Sequence, residues 1–498
     1  MALVKVPDVA TPAVASAAAL SRSRRERSVM RSLGCGRRGS GGDQYVATHG
    51  RSRRSSSASS TRARTVCFAA SRCTPLPPRR AGAAMSVAAP PATVAVASAP
   101  APIDADERLH SLDILRGFAL AGMILVHFHQ RLERSVTGTE DLIGWGVWIF
   151  AEQKAWGTFA FLFGVGFAVL LRRLEARGAS VVPIYLRRLA GLALFGIVAK
   201  VGLGFQILFD YACWGLVLLL VRRWSTRRLL GLAIVAACAK PIAAEAIALY
   251  HWWSATPLSA AGPNLWTAEH DAAQLHRYGA VVAARWTIFV AGLPHNWRGF
   301  VPDSNLTLFI LGLLAVRHRV IDEPTRHARL IGSFMIFGVV SWALSWTVLR
   351  TLPEVPIAGA DWPVKAGFGL IADQWLCFAY IGAVLLLVAF RPQWTERLRL
   401  FADAGRMGLT NYLLQALVFD VAGAGYGFAL RLRPYAYLLA WPVLFYAQAA
   451  VSRAWLRRYR FGPAEWLWRC MTYARLQPLR RAGRTVTPTF EGPEVRAT

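Results

Sequence analysis

RGFALAGMILVHFHQ, residues 116–130, decides the fold. Phe118 to Val126 holds no charge, and the apolar run from Leu112 onward reaches roughly 20 residues, enough for a helix to cross a bilayer. Yet the stretch opens on Arg116 and closes on His127 and His129. Ionisable groups are costly in hydrocarbon, so a membrane helix keeps them on a face covered by protein or water. Arg116 and His127 are eleven positions apart, which places them within roughly 20° of one face and about 16 Å apart along the axis. His129 points elsewhere. Asp113 precedes Arg116 by three positions, within reach of an intrahelical ion pair. Two readings stay open. Arg116 reaches headgroups and His127 is a hydrogen-bonded packing residue, or their shared face lines a site.

The pattern recurs along the chain. Of 498 residues, 55% are hydrophobic and only 17% charged, with mean hydropathy +0.35; soluble domains carry roughly 25% charged residues. Apolar runs centre on 112–130, 156–173, 187–204, 206–222, 228–250, 303–317, 328–350, 373–390, 407–429 and 435–452. The expected fold is all-α, a polytopic bundle of about ten transmembrane helices in a lipid bilayer, without an internal repeat. The piece WTIFVAGLPHNWRGF (286–300) is too short to span and reads as interfacial or re-entrant. Gly-x-Gly in LFGVGFAVL (162–170) lies within a run and is explained by close helix packing.

The net charge of +29 does not describe a nucleic-acid binder. Residues 1–84 hold 16 Lys and Arg against 3 Asp and Glu, and the remaining excess sits in short runs between apolar segments: LRRLEARG, VRRWSTRR, AVRHRV, RLRL and WLRRYR. Such alternation orients membrane helices, and it predicts both termini in the cytoplasm. Residues 1–107, rich in Ser, Arg, Ala and Pro, read as disordered, with Met85 a candidate start. The bundle is expected over 108–460 and a cytoplasmic segment over 461–498. The seven cysteines show no metal or CxxC spacing and read as packing residues.

Polar groups recur at the ends of the runs and inside them. Glu152 and Lys154, Lys200 and Asp210, and Lys240 and Glu245 stand in or beside runs. His295, Asn296, Arg298, Asp303 and Asn305 cluster before 303–317, and Asn411, Gln415 and Asp420 lie within 407–429. Each is either a site residue or helix–helix glue. No Walker loop, GxSxG elbow, HExxH or dinucleotide fingerprint competes. GPAEWLWR (462–469) reads as an interfacial helix opened by Pro463, with Glu465 paired to Arg469 or closing a site entrance.

LDILRGFALAGMILVHF (112–128), WGTFAFLFGVGFAVLLRRLEARG (156–178), YLRRLAGLALFGI (185–197), ILFDYACWGLVLLL (207–220), GRMGLTNYLLQALVF (405–419) and RFGPAEWLWRCMTY (460–473) resemble the YeiB-like multipass membrane proteins over about residues 108–480. That family is bacterial, which implies the inner membrane. It is related to the type-three membrane acyltransferases and the heparan-glucosaminide acetyltransferases, which share the LDxLRG opening. Type-three enzymes carry Arg, ten residues, then a catalytic His. Arg116 and His127 match that pattern, where YeiB-like members usually have Asn in place of the His.

The resemblance implies acyl transfer from an acyl-CoA donor to an envelope glycan or lipid, with His127 and Arg116 catalytic and no bound cofactor or metal. Asp113, His295, Arg298, Asn411, Gln415, Glu465 and Arg469 are candidate substrate-binding residues. A small-molecule or lipid transporter and a non-catalytic assembly protein are the alternative readings.

Overall fold

The computed structural model describes residues 110–134, 141–205, 207–254, 265–298, 304–351 and 374–481. The expectations for residues 1–107 and for Met85 lie outside them. The described residues form helices and no strand; two isolated bridges, Glu133 with Leu432 and Tyr459 with Arg480, tie chain ends together.

The opening stretch is helix α1 (His110–His127), which runs on as a π-helical turn, Phe128–Leu132. Then come α2 (Asp141–Val147), a second π turn (Trp148–Glu152), α3 (Gln153–Ala176), α4 (Val181–Leu203), α5 (Ile207–Val221) and α6 (Thr226–Trp253). Next are α7 (Leu265–Ala273), α8 (Tyr278–Arg298), α9 (Ser304–Arg317), α10 (Ala328–Thr351), α11 (Cys377–Phe390), α12 (Gln393–Arg397) and α13 (Arg399–Arg406). The last are α14 (Gly408–Gly423), α15 (Pro434–Arg458) and α16 (Pro463–Tyr473). Each of the ten apolar runs coincides with a helix.

Four helical segments, His110–Leu132, Leu142–Ala176, Val181–Leu203 and Ala328–Thr347, are long and apolar enough to cross a membrane. Large apolar side chains such as Val198, Ile234, Leu344, Leu439 and Val443 stand exposed on helix surfaces, as they do when lipid is the solvent. The described part of the segment expected to be interfacial or re-entrant, 286–298, is the second half of α8, which starts eight residues before Trp286; Tyr278–Leu293 is apolar but shorter than the four membrane-length segments. Arg285 interrupts the apolar run there.

Two glycine crossings set the frame. A Cβ at Gly117 would collide with the Phe401 carbonyl, and one at Gly405 with the Asp113 carbonyl, so α1 and α13 touch backbone to backbone. Gly164 and Gly312 do the same for α3 and α9, against the carbonyls of Phe309 and Phe161. The packing reading of Gly-x-Gly therefore holds for Gly164, while Gly166 faces open space.

Contacts sort the connections into two ends. At one end Arg172 pairs with Asp322 at 2.7 Å, and Arg317 donates to the Trp224 and Arg222 carbonyls. At the other, Arg285 reaches the Gly202 carbonyl and Asp420, and Arg431 reaches Gly423 and Gln274.

Candidate functional site

The Arg116 end of the shared face of α1 lines a cavity. Leu112, Asp113, Arg116 and Met123 form one wall of a space of about 410 Å³. Where α1 begins and α3 ends, the lining is cationic: Arg172, Arg173 and Arg177, then Arg188, Arg406 and Arg469, with Asp322 and Glu465 among them. Further along α1 it becomes apolar, with Phe159, Phe163, Leu192, Leu208, Tyr211 and Tyr412. Guanidinium forks suit phosphate or carboxylate, and an apolar bore suits an alkyl or acyl portion. The cavity thus fits an amphipathic anion. The Asp113–Arg116 pair forms as the spacing predicts, at 2.7 Å, and leaves a third of the Arg116 side chain exposed.

His127 lies one turn beyond Met123 on the same face, outside the cavity lining, and is 1% exposed. The rings of Phe205, Phe419 and Tyr412 surround it at 4.6, 5.4 and 6.4 Å. Neither ring nitrogen has a hydrogen-bond partner among the described residues. A hydrogen-bonded packing histidine would have one, and leaving a buried polar group unmet costs about 1–3 kcal/mol. Such an orphan calls for a functional explanation.

GPAEWLWR forms α16 against the cavity's cationic side. Glu465 accepts hydrogen bonds from Leu409 N (2.6 Å), Thr410 N (3.1 Å) and Thr410 Oγ1 (2.5 Å). It therefore caps the first turn of α14 from another helix, satisfying N–H groups that have no partner within that helix. Burial pushes its carboxyl above the usual range, against the pull of the hydrogen bonds from Thr410 and Leu409. Arg469 lies 4.3 Å over the Phe461 ring. Trp468 donates to the Arg188 carbonyl at 2.8 Å while the Arg188 guanidinium stacks 3.7 Å above its ring. Asp113, Arg116, Glu465 and Arg469 thus share one cavity.

Asn411 and Gln415 do not line it. Asn411 donates to Ala404 O and Ser452 Oγ, and Gln415 to Gln448, whose amide returns to Asn411 O. This buried ladder joins α14 to α15. His295 and Arg298 fall in the last turn of α8, and their side chains lie outside the described residues, as does Asp303.

A second polar layer lies on the far side of His127. Arg285 and Asp420, 0% and 1% exposed, form a bidentate pair at 2.6 and 3.1 Å, and Tyr426 donates to the same carboxylate. Arg131 donates to Gly204 O and lies 4.8 Å over Phe205. Lys200 pairs with Glu269 at 2.5 Å. Glu133 is bound by His129 and Tyr437; burial alone would raise its carboxyl, but these hydrogen bonds hold it below the usual range. Sequence reading missed Arg285 and Tyr412. A lone Arg inside α8 was the available signal for the first. Among the described residues, no group of three His, Cys, Asp or Glu could hold a metal.

The family described as "Heparan-alpha-glucosaminide N-acetyltransferase, catalytic" matches residues 108–265, and "Protein of unknown function (DUF418)" matches 315–475. The chain is 29% identical over 415 residues to uncharacterized protein YxaH of Bacillus subtilis, covering 76% of this chain and 97% of that one. It is 26% identical over 393 residues to an uncharacterized 39.9 kDa protein in the amylase 3' region of Bacillus acidopullulyticus, with the same coverage. Over 118 residues it is 39% identical to uncharacterized protein YeiB of Escherichia coli, 22% of this chain and 28% of that one. No solved structure matches.

Proposed function

We propose that this chain, YeiB-like and related to the membrane acyltransferases, moves an acyl group from an acyl-CoA made in the cytoplasm to an envelope sugar or lipid. The observation that carries this reading is the orphaned imidazole of His127, one helical turn past an arginine-rimmed cavity on the same helix face. Arg116 and its neighbours would hold the donor's phosphates, and the apolar bore its arm. His127 could take the proton of an acceptor hydroxyl as that oxygen attacks the thioester carbonyl, the proton then leaving with the thiolate. It could equally carry the acyl group itself between donor and acceptor.

In this reading about ten helices span a bacterial inner membrane and both termini are cytoplasmic. Support comes from the arginine-rich connections, which gather at one end with the cavity's cationic side. The test compares envelope mass spectra of a deletion strain, the same strain with the native chain restored, and one with His127→Ala present at normal membrane level. The reading requires one envelope species to lose an acyl mass on deletion and to regain it with the native chain only. An unchanged envelope across all three sinks it.

A further inference from the structure

The cavity stops short of the residue that would use it. Met123 lines the cavity and His127 does not, although they share a face and stand four residues, about 6 Å, apart along α1. One side chain belongs to both places. Tyr412 lines the cavity, and its ring lies 6.4 Å from the imidazole.

We propose that Tyr412 is the partition between the cavity and His127, and that its ring sets which acyl groups reach the imidazole. This rests on the reading of His127 as the reacting group.

The neighbours argue for Tyr412 over the other two rings. Phe205 is clamped under Arg131, which is itself tied to Gly204 O. Phe419 is wedged edge-on against Phe128 at 4.8 Å. Tyr437 and Tyr211 are held by hydrogen bonds to Glu133 and to Trp156 O. The Tyr412 hydroxyl makes no hydrogen bond with a described residue, so turning the ring breaks none. The cavity of about 410 Å³ supplies space to turn into. The backbone beside it stays fixed, because Glu465 holds Leu409 and Thr410. The ring can therefore move while its helix does not. With the ring in place, three aromatic rings close His127 off from the cavity, and an acyl group reaches it only when the Tyr412 ring turns. With the ring gone, cavity and imidazole become one space.

The experiment exposes the detergent-solubilised full chain briefly to diethyl pyrocarbonate and follows each histidine by peptide mass spectrometry. Exposed His276 is the internal reference. In the native chain His127 should react at least about tenfold more slowly than His276. Tyr412→Ala should bring His127 to within a few-fold of His276 without changing His276, and Tyr412→Phe should leave it slow, since the ring and not the hydroxyl is the barrier. If Tyr412→Ala does not fold, Tyr412→Leu takes its place.

A folded small-residue variant in which His127 stays slow overturns the proposal, as does fast reaction in the native chain. The transfer reading fails separately. Opening on Tyr412→Ala with an envelope unchanged by deletion leaves a partition without acyl transfer. Unchanged labelling with an acyl mass lost in His127→Ala leaves transfer without the partition. Where both hold, Tyr412→Ala should extend transfer to longer acyl groups.

Discussion

Asp420→Ala should be among the most destabilising single changes in the chain. Asp420 accepts three hydrogen bonds, two from the Arg285 guanidinium at 2.6 and 3.1 Å and one from the Tyr426 hydroxyl at 2.7 Å. The Tyr426 hydrogen bond goes to a charged acceptor and contributes about 1.5–3 kcal/mol, below the cost of breaking a buried ion pair. The ion pair decides. Among the described residues, its removal leaves Arg285, whose Nε has no partner there, holding one carbonyl, Gly202 O at 3.1 Å. Breaking a buried pair from one side costs about 3–5 kcal/mol, because the surviving charge stays buried. Asp420→Asn keeps two acceptor–donor contacts and should cost less. The combination Arg285→Met with Asp420→Leu buries no charge and should be milder than Asp420→Ala. Thermal unfolding in detergent, followed by tryptophan fluorescence at matched protein and detergent concentrations, gives the three shifts. A loss below about 1 kcal/mol for Asp420→Ala, or a double variant worse than Asp420→Ala, would refute the argument that an isolated buried guanidinium dominates.

Gly117→Ala should cost upward of about 1–3 kcal/mol or prevent insertion, since its methyl meets the Phe401 backbone, whereas Gly332→Ala, with nothing within 4 Å, should be neutral; membrane yield and unfolding temperature check both. The Glu133 contribution follows from sign. Its folded carboxyl is held below its ordinary value near 4.5, so the stabilisation is complete above that pH and is lost as pH falls through the lower folded value. Unfolding temperature against pH should drop on that acid limb for the native chain and flatten for Glu133→Gln.

The helical class was largely legible because apolar runs show in the sequence: each of the ten runs contains a described helix, and four helical segments are long and apolar enough to cross a membrane. What hydropathy did not give was the start of α8, eight residues before Trp286. Arg285 splits its apolar stretch, and only the partner carboxylate on α14, 135 residues away, makes that position tolerable. A single sequence shows the charge but not its partner. The π turn after His127 was equally hidden, since nothing in FHQRL distinguishes it from an α-helical turn.

The site was legible where it follows one helix and opaque where it crosses between helices. Asp113, Arg116 and His127 lie on one face of α1, and a period of 3.6 residues suffices to align them. Glu465 looked like half of an i,i+4 pair with Arg469, yet both its oxygens are occupied 55 and 56 residues back along the chain, at Thr410 and Leu409. The local rule lost because an uncapped helix start beside a buried carboxylate is worth more than an exposed surface pair of about 0.3–0.5 kcal/mol. Tyr412 carried no signal at all. An aromatic residue in an apolar run is ordinary, and what singles it out is a relation among three places: a cavity wall, a histidine ring four residues past that wall, and a helix start held still by Glu465. Such a relation has no sequence period. Charge alone put the arginines in the connections between apolar runs, and only packing makes them a cavity rim and identifies the residue between that rim and the imidazole.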